Sequence, residues 1–417
     1  MKHPWDSQDF LRGAKAAGSD TETLSAAVSI AKAIKQVSPD LPVIFSLSHL
    51  AHLVDVSPKS LRPIVDRMSD PYRHFRLRKK SGGKGSKAPK RRFRDIYAPQ
   101  PHVLRTQRWI AQNILNTIQP HPSSFGFAPG RDMLDAATLH CGCAWLLKMD
   151  VSNFFESISE RQAYWVFRKC GYTALLSFQL ARLCTRSVDQ NHYFHLRKTK
   201  YPHPIATEGY LPQGAPTSPM LANLAVHSLD EKLKRIAGDF GWKYSRYADD
   251  LAFSTEQSAS RTDALRIRGK VEDALKNIGL SENSSKTRIS PPGARKVLLG
   301  VLIDRERPRL TRRYKDNIET HLYALNHEKI GVLAHQSKRG FSSVTGMRHH
   351  ISGLISFAYH VDKKYGEKLY AEYNKIRWQI TTLNPSQSGH QAGSSNGASQ
   401  FHNCDGDLSI LQALGRL

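Results

Sequence analysis

The stretch Trp242-Lys243-Tyr244-Ser245-Arg246-Tyr247-Ala248-Asp249-Asp250-Leu251-Ala252-Phe253-Ser254 decides the fold. Apolar residues alternate on either side of Ala248-Asp249-Asp250, which predicts two short strands joined by a hairpin tip. Such a tip costs stability. Asp-Gly or Asn-Gly would turn the chain more easily, and two unit charges about 4 Å apart repel by roughly 1 kcal/mol in water and about 4 near a protein surface. The pair is therefore either a solvated acidic turn or a site where a divalent cation converts repulsion into binding.

Upstream, Trp145-Leu146-Leu147-Lys148-Met149-Asp150 predicts a buried strand that ends in a carboxylate. Burying an acid is costly unless it is paired or binds metal. If Asp150 and Asp249 lie on neighbouring strands, they can hold two Mg²⁺ ions, one activating an attacking hydroxyl and one stabilising a leaving pyrophosphate. Between these acids lies Leu211-Pro212-Gln213-Gly214-Ala215-Pro216-Thr217-Ser218-Pro219. Ser218 is suited to cap a helix with Pro219 at its first position. Leu221, Leu224, Ala225 and Leu229 would share one face of that helix, and Gly214 lets backbone approach a ligand closely.

The formal net charge of +25 over 417 residues points to a phosphate-rich partner. An anionic membrane surface is the rival, but no long basic amphipathic helix favours it. No run of 18 apolar residues and no signal-peptide core is present. The five cysteines form no CxxC pair, which predicts a reducing, cytoplasmic setting rather than disulfides or zinc.

Residues 1–70 read as a helical segment, with a helix from Leu24 to Val37, another opening at Ser46, and Ser57-Pro58 as the start of a third. From Arg73 to Arg94 there are eleven Lys/Arg and no acid, among them Arg78, Lys79, Lys80, Lys90, Arg91 and Arg92. This is either a mobile basic loop or a hairpin that closes over phosphates. Thr311–Glu328 and Val344–Leu383 read as helices, and residues 384–417 open with a polar tract whose composition predicts disorder.

Taken in order, Asp150 with Phe155, Leu211-Pro212-Gln213-Gly214, Tyr247-Ala248-Asp249-Asp250, Asn283 with Lys286-Thr287, and Leu299-Gly300 resemble the successive blocks of reverse transcriptases, most closely those of bacterial retrons. Arg94-Asp95-Ile96-Tyr97-Ala98-Pro99, Phe125-Gly126-Phe127-Ala128-Pro129-Gly130-Arg131 and Ser352-Gly353-Leu354-Ile355-Ser356-Phe357 resemble the same group. The chain departs from it at Ala136, where an Asn-Ala-x-x-His block has Asn, and at Val297-Leu298-Leu299-Gly300, where a Val-Thr-Gly block is expected.

The resemblance implies an α+β, right-hand polymerase: fingers and palm over 71–305 with an antiparallel palm sheet, and a helical thumb over 306–383. It makes Asp150 and Asp249 metal ligands, with the Val151 carbonyl assisting and Asp250 supporting. It makes Phe155 the gate that meets a ribose 2′-OH. Gln213 and Arg94 become nucleotide contacts, with Lys286 a proton donor to pyrophosphate. Leu299-Gly300 becomes a grip on the primer end, and His140 joins the basic residues as an RNA contact. The implied reaction is Mg²⁺-dependent addition of deoxynucleotides on a structured non-coding RNA. The resemblance also implies an RNA–DNA product that restrains a toxic effector in phage defence. Alternatives are another defence-associated reverse transcriptase, a group II intron-like enzyme, or a non-catalytic RNA-binding protein.

Overall fold

A computed structural model describes residues 20–78, 93–187 and 208–378, with a few isolated positions before residue 20. Lys79, Lys80, Lys90, Arg91, Arg92 and the tail over 384–417 lie outside the described residues. The described chain divides into two compact units, one made of residues up to 136 with 144–292, the other of 137–143 with the residues from 293 onward.

The first unit opens with α1 (Thr21–Val37), α2 (Leu47–Leu53) and α3 (Pro58–Val65). Asp20 and Ser46 accept from the third backbone N–H of the helices they cap. Pro58 stands at the start of α3, where its missing N–H costs nothing. β1 (Tyr72–Arg78) and β2 (Phe93–Pro99) then pair antiparallel from Tyr72↔Pro99 to Arg78↔Phe93. After α4 (Pro101–Asn113) and α5 (Met133–Leu139) come β3 (Trp145–Asp150), α6 (Glu160–Lys169), α7 (Ala174–Cys184) and the short pair β4 (Arg186–Ser187) and β5 (Gly209–Tyr210).

The predicted hairpin is β6 (Lys243–Tyr247) and β7 (Asp250–Thr255), reached through α8 (Ser218–Ala225) and α9 (His227–Asp239). β7 lies between β6 and β3, and β8 (Arg288–Ser290), which follows α10 (Arg261–Asn277), completes an antiparallel sheet in the order β6-β7-β3-β8. Side chains alternate across a strand. Leu147 and Met149 of β3 and Leu251 and Phe253 of β7 join one core with Leu229, Leu233, Ile267 and Val271 of the helices. The same alternation assigns Lys148, Asp150 and Asp250 to the opposite face. The expected α+β class with antiparallel sheets is observed.

Two local expectations shift. Thr217, not Ser218, precedes the first residue of α8, and the Ser218 hydroxyl donates to the Pro212 carbonyl at 2.7 Å. The helix also stops at Ala225, so Leu229 belongs to α9.

The second unit contains the sheet β11-β10-β9 (Arg309–Leu310, Val301–Leu302, Val297–Leu298) and the helices α11 (Arg312–Asn326), α12 (Gly331–Arg339), α13 (Val344–Val361) and α14 (Lys363–Asn374). Leu310, Ile318, Leu322, Met347, Ile351 and Ile355 form its core. The single helix expected from Val344 is broken at Asp362, whose extended backbone ends α13 and whose carboxylate accepts from Tyr365 N–H at 3.0 Å to start α14. Gly366 sits against Tyr359 with no room for a Cβ, and this lets the two helices turn back on each other.

One buried network anchors the β6–β7 hairpin. Arg246, fully buried, donates from Nε and Nη2 to both Asp230 oxygens at 2.8 and 2.6 Å, from Nη1 to Asn223 Oδ1 at 2.8 Å and the Ala248 carbonyl at 3.3 Å, and from Nη2 to Ser124 Oγ at 3.0 Å. All five guanidinium hydrogens are thereby used. Removing one partner of a buried pair strands the other charge and costs about 3–5 kcal/mol. Arg246→Met is expected to lower the stability of the first unit by about that amount, and adding Asp230→Asn should restore part of it; urea-unfolding midpoints test both.

In the second unit His321 Nδ1 and His335 Nε2 lie 2.8 Å apart, both rings buried. Burial, then the Arg339 guanidinium and His335, push His321 down to about 4 from the ordinary 6.5. The unfolded chain therefore takes up a proton that the folded one refuses, so this contribution is complete above pH 6.5 and lost as pH falls toward 4. Calorimetric melting should show the unit losing stability across that window, with a smaller loss in His321→Gln; equal slopes would contradict the assignment.

Candidate active site

The hairpin separates the two adjacent acids. Tyr247 pairs with Asp250, leaving Ala248-Asp249 as a two-residue turn with Ala248 at φ +54. A left-handed alanine is strained, and the network around Arg246 holds it there. Asp249 thus sits in the turn, while Asp250 is the first residue of β7 and lies directly opposite Asp150. The Val151 N–H donates to the Asp249 carbonyl at 2.9 Å and fixes the turn to the end of β3.

Asp150 is buried and already partnered. Lys286 Nζ stands 2.5 Å from Oδ1, Asn283 Nδ2 donates to Oδ2 at 3.1 Å, and the Asn283 N–H donates to the Asp150 carbonyl at 2.7 Å. The implied pyrophosphate donor Lys286 is therefore an ion-pair partner of the first acid in this structure. Burial and then the Asp150 charge raise the pKa of Asp249, against the opposing fields of Lys286 and Arg94. Burial pushes Asp250 up to about 6, with Lys148 opposing and Asp249 and Asp150 adding to the rise. Asp249 and Asp250 thus lie in a field short of positive charge, whereas Asp150 has Lys286 beside it.

That donor set, hard carboxylate oxygens in one another's field, suits a hard divalent cation. Among the described residues no three His, Cys, Asp or Glu side chains form a ready-made metal cage. Mg²⁺ usually binds through one or two carboxylates and completes its shell with water and substrate phosphates.

The nucleotide-contact candidates converge through backbone. Tyr97 N–H of β2 donates to the Gln213 carbonyl at 2.8 Å, and Gly214, at φ +114, packs so closely on Ile96 and Tyr97 that a Cβ would stand 3.0 Å from both. The Leu211–Gly214 loop is thus docked on the strand that carries Arg94, which is exposed. Phe155, half-buried, lies with its ring 5.7 Å from that of Phe154 and 6.1 Å from that of Phe127.

Two candidates belong to the second unit. Leu299 and Gly300 form the turn between β9 and β10, both with left-handed φ (+48 and +88), as an I′ hairpin turn requires. His140 is fully buried, which corrects its reading as an RNA contact: its side chain presents no surface to a nucleic acid here. Arg78 closes β1, and Lys79, Lys80, Lys90, Arg91 and Arg92 lie outside the described residues.

Sequence reasoning overlooked Arg246, Asp230, Asn223 and Lys148. A signal existed for two of them. Arg246 follows Tyr244 and Ser245 in the buried part of β6, close to the turn, and Asp230 sits on the apolar face of α9 between Leu229 and Leu233. Two opposite charges on buried faces call for each other.

The model of the reverse transcriptase (RNA-dependent DNA polymerase) family matches residues 78–330. Retron Ec86 reverse transcriptase of Escherichia coli is 29% identical over 336 residues, covering 81% of this chain and 91% of its own. Retron Mx65 reverse transcriptase of Myxococcus xanthus is 28% identical over 343 residues, 79% of this chain and 71% of its own. Retron Mx162 reverse transcriptase of the same organism is 30% identical over 218 residues, 51% of this chain and 44% of its own. With the family match spanning more than half of its length, the chain belongs to the reverse transcriptases, as a retron-type RNA-directed DNA polymerase.

Proposed function

We propose that the chain copies a structured non-coding RNA into DNA at the site where β3 meets the β6–β7 turn. The observation that carries this reading is the register Asp150↔Asp250 beside the Asp249 turn, with burial and mutual repulsion raising both hairpin acids. Asp150 and Asp249, with the Val151 carbonyl and Asp250, would hold two Mg²⁺ ions, which when bound supply hydroxyl activation and pyrophosphate stabilisation. Residues 71–305 are read as fingers and palm, and 306–383 as thumb.

The other residues orient the incoming deoxynucleotide. Arg94 would clamp a triphosphate, its guanidinium offering paired donors to phosphate oxygens. Gln213, its main chain fixed to β2, would offer its side-chain amide to the nucleotide. Phe155 excludes a 2′-OH by filling the space that this hydroxyl would occupy. Lys286, ion-paired with Asp150 here, would donate a proton from its ammonium to the departing pyrophosphate. Leu299-Gly300 would grip the primer end.

The positive charge of the chain suits an RNA partner. A retron role implies that the template is encoded nearby, that the RNA–DNA product restrains a toxic effector during phage defence, and that the enzyme works in the cytoplasm. No helix among the described residues is long and apolar enough to cross a membrane.

Asp249→Asn is expected to reduce templated deoxynucleotide incorporation by about a hundred- to a thousandfold, as loss of a transition-state electrostatic contact does, while RNA affinity stays near wild type and falls steeply with salt. Primer extension on an RNA template, paired with RNA binding at several salt concentrations, tests this. Undiminished synthesis would remove Asp249 from the metal site; salt-independent affinity would remove the phosphate-binding role of the charge.

A further inference from the structure

The segment Ser123–Phe127 joins the catalytic turn to the side chain that would select the sugar. Arg246 N–H donates to the Ser123 carbonyl and Phe125 N–H donates to the Arg246 carbonyl, each at 2.8 Å, so the segment runs beside β6 as a short parallel bridge. Asn223 Nδ2, from the Arg246 network, donates to the Gly126 carbonyl at 2.7 Å. Gly126 then presses on the turn itself: a Cβ there would stand 2.7 Å from the Ala248 nitrogen. The next residue, Phe127, is held at φ +60. Bulky side chains rarely adopt that region, and such backbone persists only where the surroundings over-determine it.

What the strained backbone achieves is the placement of a ring. Phe127 and Phe155 face each other with centroids 6.1 Å apart and planes tilted by 49°. Phe154 also lies 5.7 Å from Phe155 and has the Arg246 guanidinium 5.7 Å from its own ring centre. The contacts close a loop from Arg246 through Phe154, Phe155, Phe127 and Gly126 back to Ala248. A gate residue excludes a hydroxyl only if its ring cannot recoil, and an aromatic neighbour limits that recoil.

We propose that Phe127 is a specificity-determining residue that acts through Phe155, backing its ring so that ribonucleotides are rejected, and that Gly126 sets both rings relative to the catalytic turn. The inference rests on the reading of Phe155 as the sugar gate. Phe127 is a positioning residue and needs no contact with the nucleotide.

The test is single-nucleotide incorporation of matched deoxy- and ribonucleotides on a primed RNA template by the full chain, comparing wild type with Phe155→Ala, Phe127→Ala, Phe127→Leu and the Phe127→Ala/Phe155→Ala double variant. Phe127→Gly serves as a second ringless variant that the left-handed backbone accepts without strain. The expected result for both ringless variants is about a tenfold gain in relative ribonucleotide use, the low end of what one apolar contact discriminates. The gain should come from a lower ribonucleotide KM, with deoxynucleotide kcat nearly unchanged. Phe127→Leu should retain most of the selectivity, and the double variant should be no more permissive than Phe155→Ala. Equal losses for both sugars, or additive effects in the double variant, would overturn the proposal. Relaxed selectivity in Phe155→Ala with none in the Phe127 variants would overturn it alone, whereas unchanged selectivity in Phe155→Ala would overturn the gate reading and this inference together.

Discussion

The ion pair of Arg246 with Asp230 is the constraint on which the rest of the site depends. It lies in the core, yet its guanidinium reaches the Ala248 carbonyl, and so the one strained residue of the acidic turn is tied to the centre of the first unit. A buried pair is a poor source of stability compared with apolar packing. It is a good source of uniqueness, because five donors with five assigned acceptors admit a single arrangement of Ser124, Asn223, Asp230 and Ala248. The turn is consequently placed by side chains from three other segments rather than by its own weak preference for turning.

The arrangement explains why two adjacent acids have different environments. Asp249 occupies the turn and Asp250 the first strand position, so strand alternation directs Asp250 to the face of Lys148 and Asp150. Asp150 is compensated by Lys286 and Asn283, whereas the turn acids remain under-compensated. A site of this kind gains from an arriving cation and from the triphosphate that accompanies it. Lys286, more than half exposed on its side chain, can leave Asp150 without breaking the core.

Much of this was legible in the sequence because local patterning carried it. The alternation around Tyr247–Asp250 gave the hairpin, Trp145–Asp150 its buried partner strand, and Thr311 and Ser46 the starts of their helices. The misses came where a long-range contact overrode a local signal. Ser218 has the chemistry of a cap but its hydroxyl is taken by Pro212, and His140, a polar residue that the resemblance makes an RNA contact, is fully buried. Asp362 ended a helix that composition alone would have continued. Arg246 was hardest to read, because its partners stand between two and 122 positions away in the chain.

Sequencing the nucleic acid that copurifies with the full chain tests the central claim most directly. The expected finding is one defined RNA accompanied by DNA complementary to part of it, with the DNA missing when Asp150 is replaced by Asn. RNA alone from the unaltered protein, or DNA unrelated to the bound RNA, would contradict an RNA-templated polymerase built on Asp150 and the Asp249 turn.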